Sequence, residues 1–425
     1  MFYTMMLMVF TIVGFGLLLN AYKFGTWLGT GTTIIATALN IQLAPLFQKF
    51  WFSVFISGFG TVNRSDQVGN AVKNFWMHFE TVDLEVGYYS QQTTMIGCIS
   101  LFVLFTAFIG RLNLNNVVTV TVFFTFFWNM CYFVLIRIFV IVGDFNSTAS
   151  PQFSPYFFDA FGTSYIYLFA GFFGVGFAIL FNKLKFPISA PTNDYNRISL
   201  VMAAVGTAFI YATFLFATNN FFSYSGLGTS MGRLAIMFAL SGSVIGCYFG
   251  SIFKGNGRVG FKEALTGTIS GGVAIGSVAP VVDNIGIIIV VGLVAGLFSG
   301  LYMKTLHLKI NANYTYDVLG LYGPFLISSI IGSMILAPAL IANHYNRNII
   351  VPTIGVQIPD GYAGWQLVFT GVSAGAGLIT GLITGALTIC DRSSYGLGSN
   401  SRYFANDFGL YMPTDDDEMF MGGTS

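Results

Sequence analysis

Asn284-Ile-Gly-Ile-Ile-Ile-Val-Val-Gly-Leu-Val-Ala-Gly-Leu-Phe-Ser-Gly-Leu-Tyr-Met-Lys-Thr-Leu306 is the stretch that decides the fold. About 20 mostly apolar residues suffice for a helix to cross the hydrocarbon of a bilayer. This segment runs that far and carries one charge, Lys304, near its end. Gly292, Gly296 and Gly300 stand four apart in it. Residues so spaced share a helix face, and glycine there leaves a smooth groove for a neighbouring backbone. The whole chain has the same character. Of 425 residues, 55% are hydrophobic and 8% charged, with a mean hydropathy of +0.73. A soluble protein carries about 25% charged residues, so this surplus of apolar surface calls for lipid as its solvent.

Working outward, eleven such spans can be drawn, near residues 4–22, 29–58, 89–110, 115–142, 159–182, 197–222, 230–253, 261–278, 284–306, 318–343 and 364–390. The second and eighth are diluted by Gly, Thr and Pro. The eleventh repeats the glycine spacing at Gly377, Gly381 and Gly385, and the eighth carries Gly267, Gly271, Gly272 and Gly276. The expectation is an all-α integral membrane domain over residues 1–390, with a polar, partly disordered tail over 391–425. Cationic loops mark the cytoplasmic side of a membrane protein. Lys23, Arg111, Lys183, Lys185, Arg197, Lys254, Arg258, Lys262, Lys304 and Lys309 fall on one side. Arg64, Lys73, Arg347 and at most Lys49 fall on the other. The tail is therefore expected on the cationic side and the N-terminus opposite, as an odd number of spans requires.

Several functions are disfavoured. The net charge of +1 comes without a long basic run, so no nucleic acid is implied. Cys98, Cys131, Cys247 and Cys390 lie in or at the ends of apolar segments without metal-ligand spacing, and read as packed thiols. Gly255-Asn-Gly-Arg-Val-Gly260 matches a dinucleotide fingerprint as a string, but that motif works between a strand and a helix. No catalytic constellation or cofactor site is legible, so no enzyme is expected. Ionisable groups inside a membrane are costly and become functional candidates. Here they are Asp159, Asp283 and Arg137, whereas His78, His307 and His344 fall in loops or at span ends.

Val13-Gly-Phe-Gly16, followed by Lys23, Gly31, Leu39 and Gln42, resembles the first two core helices of Rhesus glycoproteins. Phe158-Asp-Ala-Phe-Gly-Thr-Ser-Tyr-Ile-Tyr-Leu-Phe-Ala-Gly-Phe-Phe-Gly174 resembles the fifth-helix motif of the ammonium transporter/Rh family. In that motif an aspartate precedes a pore histidine by eight residues. Leu265-Thr-Gly-Thr-Ile-Ser-Gly-Gly-Val-Ala-Ile-Gly276 is similar to the family's eighth-helix glycine motif. Val318-Leu-Gly-Leu-Tyr-Gly323 stands where the tenth helix carries Leu-His-Gly. The resemblance runs from about residue 4 to 390 and aligns poorly over 59–90.

That resemblance implies two inverted five-helix halves plus a final long helix, assembled as a trimer with one pore per subunit. It implies a lumen lined by a histidine pair beneath two aromatic gates, with an aspartate organising recruitment of ammonium. By the same resemblance Asp159 matches the aspartate, Trp128 a gate, and Phe216 lies close to the other gate. A second family aspartate appears as Tyr314. Both histidine positions read tyrosine, Tyr167 and Tyr322. A phenol has an ordinary pKa of about 10 and an imidazole about 6.5, so the tyrosines lack a relay group at neutral pH. The expectation is a pore closed at its midplane by Tyr167 facing Tyr322. Each tyrosine has an alternative reading as core packing, and Asp159 as a helix cap. Three functions stay open: a channel for ammonia or ammonium; a non-conducting scaffold, either trimeric or a subunit of a larger membrane assembly; and a sensor that binds without conducting. No targeting signal assigns the chain to a particular membrane.

Overall fold

The computed structural model describes residues 2–19, 28–59, 88–109, 112, 114–135, 159, 161–182, 197–217, 226–253, 259–279, 282, 284–307, 309, 317, 319–345 and 362–390. Arg137, Asp283, His78, Tyr314 and the tail from Asp391 lie outside these residues. Eleven helices follow one another among them. The first half comprises α1 (Phe2–Leu19), α2 (Leu28–Phe59), α3 (Tyr88–Phe108), α4 (Leu114–Phe133) and α5. The last of these opens as a π-helical turn, Thr163–Leu168, and continues as an α-helix, Phe169–Asn182. The second half comprises α6 (Arg197–Ala217), α7 (Gly226–Ile252), α8 in two pieces (Phe261–Gly267 and Ser270–Val278), α9 (Ile285–Thr305) and α10. Like α5, α10 opens with a π-helical turn, Tyr322–Ile327, before its α-helix, Ser328–Tyr345; α11 (Tyr362–Cys390) is the last of the described helices.

Each helix coincides with an expected span. Six are long and apolar enough to cross a membrane, and Met5–Leu19, Thr93–Phe108 and Leu200–Leu215 are shorter apolar helices. The two diluted spans depart from a plain unbroken helix. The second is one helix with Pro45 inside it, and the eighth breaks at Thr268 and Ile269. The chain is a multi-pass integral membrane protein.

The two halves repeat. In the first, α2 packs on α4; in the second, their counterparts α7 and α9 pack together, while α1 lies against its own counterpart, α6. Because each half has five helices, the second enters the bilayer from the opposite side. Inverted repeats of this kind place the working site between them, near mid-membrane.

In lipid the apolar effect does not favour one helix pairing over another, so close packing and hydrogen bonds hold the bundle together. Glycine supplies the closeness. A Cβ on Gly242, Gly246 or Gly250 of α7 would press into the carbonyls of Ile289, Leu293 and Leu297 on α9. Conversely, Cβ atoms on Gly292, Gly296 and Gly300 would press into those of Ala239, Ser243 and Cys247 on α7. The groove expected on α9 is thus one side of a reciprocal pair, whose other side the sequence reading passed over. On α11, Gly377, Gly381 and Gly385 lie on the carbonyls of Phe169, Phe173 and Phe177 of α5. This clamp fixes α5, the helix that carries Tyr167.

Candidate functional site

Both helices at the centre of the bundle start in the same way. Asp159 turns its carboxylate onto the beginning of α5, accepting from the amides of Thr163 (2.7 Å), Ser164 (2.6 Å) and Tyr165 (3.4 Å). These are amides that a helix start leaves without partners. The chain reaches them through Gly162, whose φ of 79° lies in the left-handed region that favours glycine, and where a Cβ would collide with the Ile166 side chain. Asp317 does the same for α10. It accepts from the Leu321 amide, and from the Tyr302 hydroxyl at 2.7 Å. Gly320, at φ 95°, makes the turn, and His307 Nε2 donates to the Asp317 carbonyl at 2.6 Å.

Asp159-Ala-Phe-Gly162 and Asp317-Val-Leu-Gly320 are therefore one device used twice. The second aspartate is Asp317, which corrects the assignment to Tyr314. The repeated Asp-x-x-Gly spacing was the available signal. Asp159 itself is a helix cap, and its oxygens are engaged by its own turn.

The π-turn of α5 is pinned from three sides. Its carbonyls at Ser164, Tyr165 and Ile166 accept from Ser373 Oγ of α11 (2.7 Å), Trp128 Nε1 of α4 (2.9 Å) and Ser100 Oγ of α3 (2.8 Å). The Ser164 and Ser333 hydroxyls meet at 3.3 Å where α5 crosses α10.

Counted from the two aspartates, the residue of α10 equivalent to Tyr167 is Phe325, since the interval from Asp159 to Asp317 also separates Tyr167 from Phe325. The rings of those two residues stack across the repeat interface, with centroids 5.9 Å apart and planes 20° apart. Tyr322 was expected to face Tyr167. It sits instead at the start of its π-turn, buried, three residues before the ring that meets Tyr167. Equivalent depth was the right criterion, but it was counted from Tyr322, five residues after Asp317; the eight-residue spacing that separates Tyr167 from Asp159 leads from Asp317 to Phe325.

A third ring completes the column. Phe214 of α6 lies 5.9 Å from Tyr167 at 40° and rests on Gly272, where a Cβ would come within 3.0 Å of it. The side chain of Phe216 is outside the described residues. The structure places Phe214 against Tyr167. Ala203, Thr207, Ile210 and Phe214 recur at helical spacing on the buried face of α6, a periodicity that would have selected Phe214.

Trp128 forms a second aromatic layer beside the column. It stacks on Tyr132 (5.3 Å, 21°), whose ring meets Tyr165 edge-on at 5.7 Å. Gly97 leaves the space for the indole, since a Cβ there would stand 3.1 Å from the ring. Trp128, Tyr165, Tyr167, Phe214, Tyr322 and Phe325 are each at most 5% exposed and Tyr132 9%, so both layers lie in the buried core.

Residues 1–391 match the model of the Ammonium Transporter Family. Among relatives, "Ammonium transporter Rh type C" of Xenopus tropicalis is 22% identical over 434 residues, covering 98% of this chain and 82% of the relative. "RH-like protein IA" of Pan troglodytes is 23% identical over 399 residues, covering 89% and 80%. Among solved structures, Rh50 of Nitrosomonas europaea superimposes with a TM-score of 0.68 at 18% identity, covering 99% of this chain and 94% of that one. Mep2 of Candida albicans gives 0.66 at 14%, covering 92% and 83%. With the repeat architecture and the family match over nearly all its helices, the chain belongs to the Ammonium Transporter Family and is an ammonium transporter/Rh-like membrane channel protein.

Proposed function

We propose that this channel protein is held shut at its core, and that ammonia and ammonium, its substrates by family, pass it slowly or not at all in this state. The stack of Tyr167 on Phe325, wedged by Phe214, is the observation that carries this reading. Three rings from α5, α6 and α10 meet where the inverted repeats would leave a lumen. Aromatic contacts of this kind are worth about 0.5–1.5 kcal/mol each beyond their burial, and here they are backed by the glycine clamp on α5. A phenol at Tyr167 also stays protonated at neutral pH and does not exchange a proton with ammonium as an imidazole would.

Asp159 and Asp317 serve this reading as anchors that set the height of the two π-turns. Trp128 serves as an outer brace, tied to the Tyr165 carbonyl. The role is that of a membrane passage and not of an enzyme. Assembly is proposed as a homotrimer or as a docked subunit of a larger membrane complex. Uptake of radiolabelled methylammonium into liposomes holding the purified chain tests the proposal. Uptake matching protein-free liposomes supports a closed core, and uptake well above them overturns it.

A further inference from the structure

Away from the aromatic column, α2, α3 and α4 share a buried polar seam. Asn40 of α2 donates through Nδ2 to the Thr94 carbonyl (2.9 Å) and to Cys98 Sγ (2.9 Å) of α3. Its Oδ1 accepts from Thr125 Oγ1 of α4 at 2.8 Å. Thr121, Thr125 and Asn129 stand four apart on α4 and so share the face that Thr125 turns to Asn40. All three are at most 1% exposed.

Asn129 Nδ2 donates to the Thr125 carbonyl at 2.7 Å, which holds the amide against the seam. Its Oδ1, and Thr121 Oγ1 on the other side of Thr125, are buried without a hydrogen-bond partner among the described residues. An amide oxygen accepts up to two hydrogen bonds and a hydroxyl both donates and accepts, and buried polar atoms in proteins are as a rule satisfied. The two atoms flank a network whose other members are engaged.

We propose that this seam is a binding niche for small neutral hydrogen-bond donors, water or ammonia, separate from the central column. The chemistry narrows the occupant. Asn129 Oδ1 can only accept, so the occupant must bring N–H or O–H. Helices α3 and α4 carry no Asp, Glu, Lys or Arg, and α2 carries only Lys49. A cation in the seam would have no carboxylate from these helices, and an anion would face acceptor oxygens. Positions 121 and 129 are two turns apart, about 12 Å at about 1.5 Å per residue. That spacing suits a short file of small donors better than one large ligand. The niche stands whether or not the column conducts.

The test uses the purified full-length chain, a high-resolution map of it in lipid, and the Asn129→Leu variant, with Thr121→Val as the milder substitution if the first does not fold. The niche predicts density within hydrogen-bonding distance of Asn129 Oδ1 and a lower melting temperature for the variant. A rise in the unmodified protein's melting temperature in ammonium chloride over potassium chloride at pH 8.5, absent in the variant, identifies ammonia. The same density and loss of stability with no difference between the salts identifies water. A map with side chains packed onto Oδ1 and no such density, together with a variant that melts at or above the unmodified protein, overturns the niche.

Discussion

Replacing glycine by alanine on the two faces of α11 should give opposite results. On the inner face, a Cβ at Gly377 would stand 2.6 Å from the Phe169 carbonyl oxygen and 3.3 Å from the Phe172 Cβ. Ordinary contact begins at 3.4 Å, so α11 and α5 would have to separate by several tenths of an ångström at their closest approach. On the outer face, a Cβ at Gly371 would have nothing within 4 Å. Both substitutions carry the same intrinsic gain, about 0.5–1 kcal/mol for alanine over glycine inside a helix. Only Gly377→Ala adds overpacking, which costs about 1–3 kcal/mol. The difference between the variants therefore isolates the steric effect, because propensity cancels. Thermal unfolding in mild detergent, followed by tryptophan fluorescence, should place Gly371→Ala at or slightly above the unmodified protein and Gly377→Ala clearly below Gly371→Ala. Equal melting temperatures, or a more stable Gly377→Ala, would refute the idea that glycine-mediated backbone contact fixes α5.

The matched caps predict matched costs: Asp159→Ala and Asp317→Ala should each lower stability by about 1–3 kcal/mol, the usual penalty for stranding buried amides. A neutral Asp317→Ala in the same unfolding assay would show that the second cap is no counterpart of the first. The excess of Lys and Arg on one side of the spans predicts that the tail from Asp391 is reached only from the cationic side. Labelling of a single cysteine placed in the tail, after removal of the native thiols, decides this, and labelling from the opposite face contradicts it. Mass measurement in mild detergent should find a trimer or a complex with other subunits, and a monodisperse monomer with no partner recovered would count against both assemblies.

The helices were legible because each needs a continuous apolar run, and lipid leaves little freedom in how such a run folds. The glycine face of α9 was legible for the same reason, since four-residue spacing maps directly onto one side of a helix. Its partner face on α7 was missed, although Gly242, Gly246 and Gly250 carry the same spacing. The centre was harder to read. Which rings meet depends on where the two inverted halves cross, and a single sequence does not print that offset. Two Asp-x-x-Gly turns contain it, and aligning them pairs Tyr167 with Phe325. Phe216 was named from the resemblance alone, and its side chain lies outside the described residues; the helical phase of α6 was the signal that points to Phe214.

The central claim is that the column of Tyr167, Phe214 and Phe325 closes the path. The most direct measurement is stopped-flow ammonia entry into liposomes loaded with a pH dye. Three preparations are compared: protein-free liposomes, the unmodified chain, and a Tyr167→Ala/Phe325→Ala variant verified to fold by its elution and melting profile. The account predicts that the unmodified chain matches protein-free liposomes and that the trimmed variant is faster than both. Entry through the unmodified chain well above protein-free liposomes, unaltered by trimming the two rings, would contradict it.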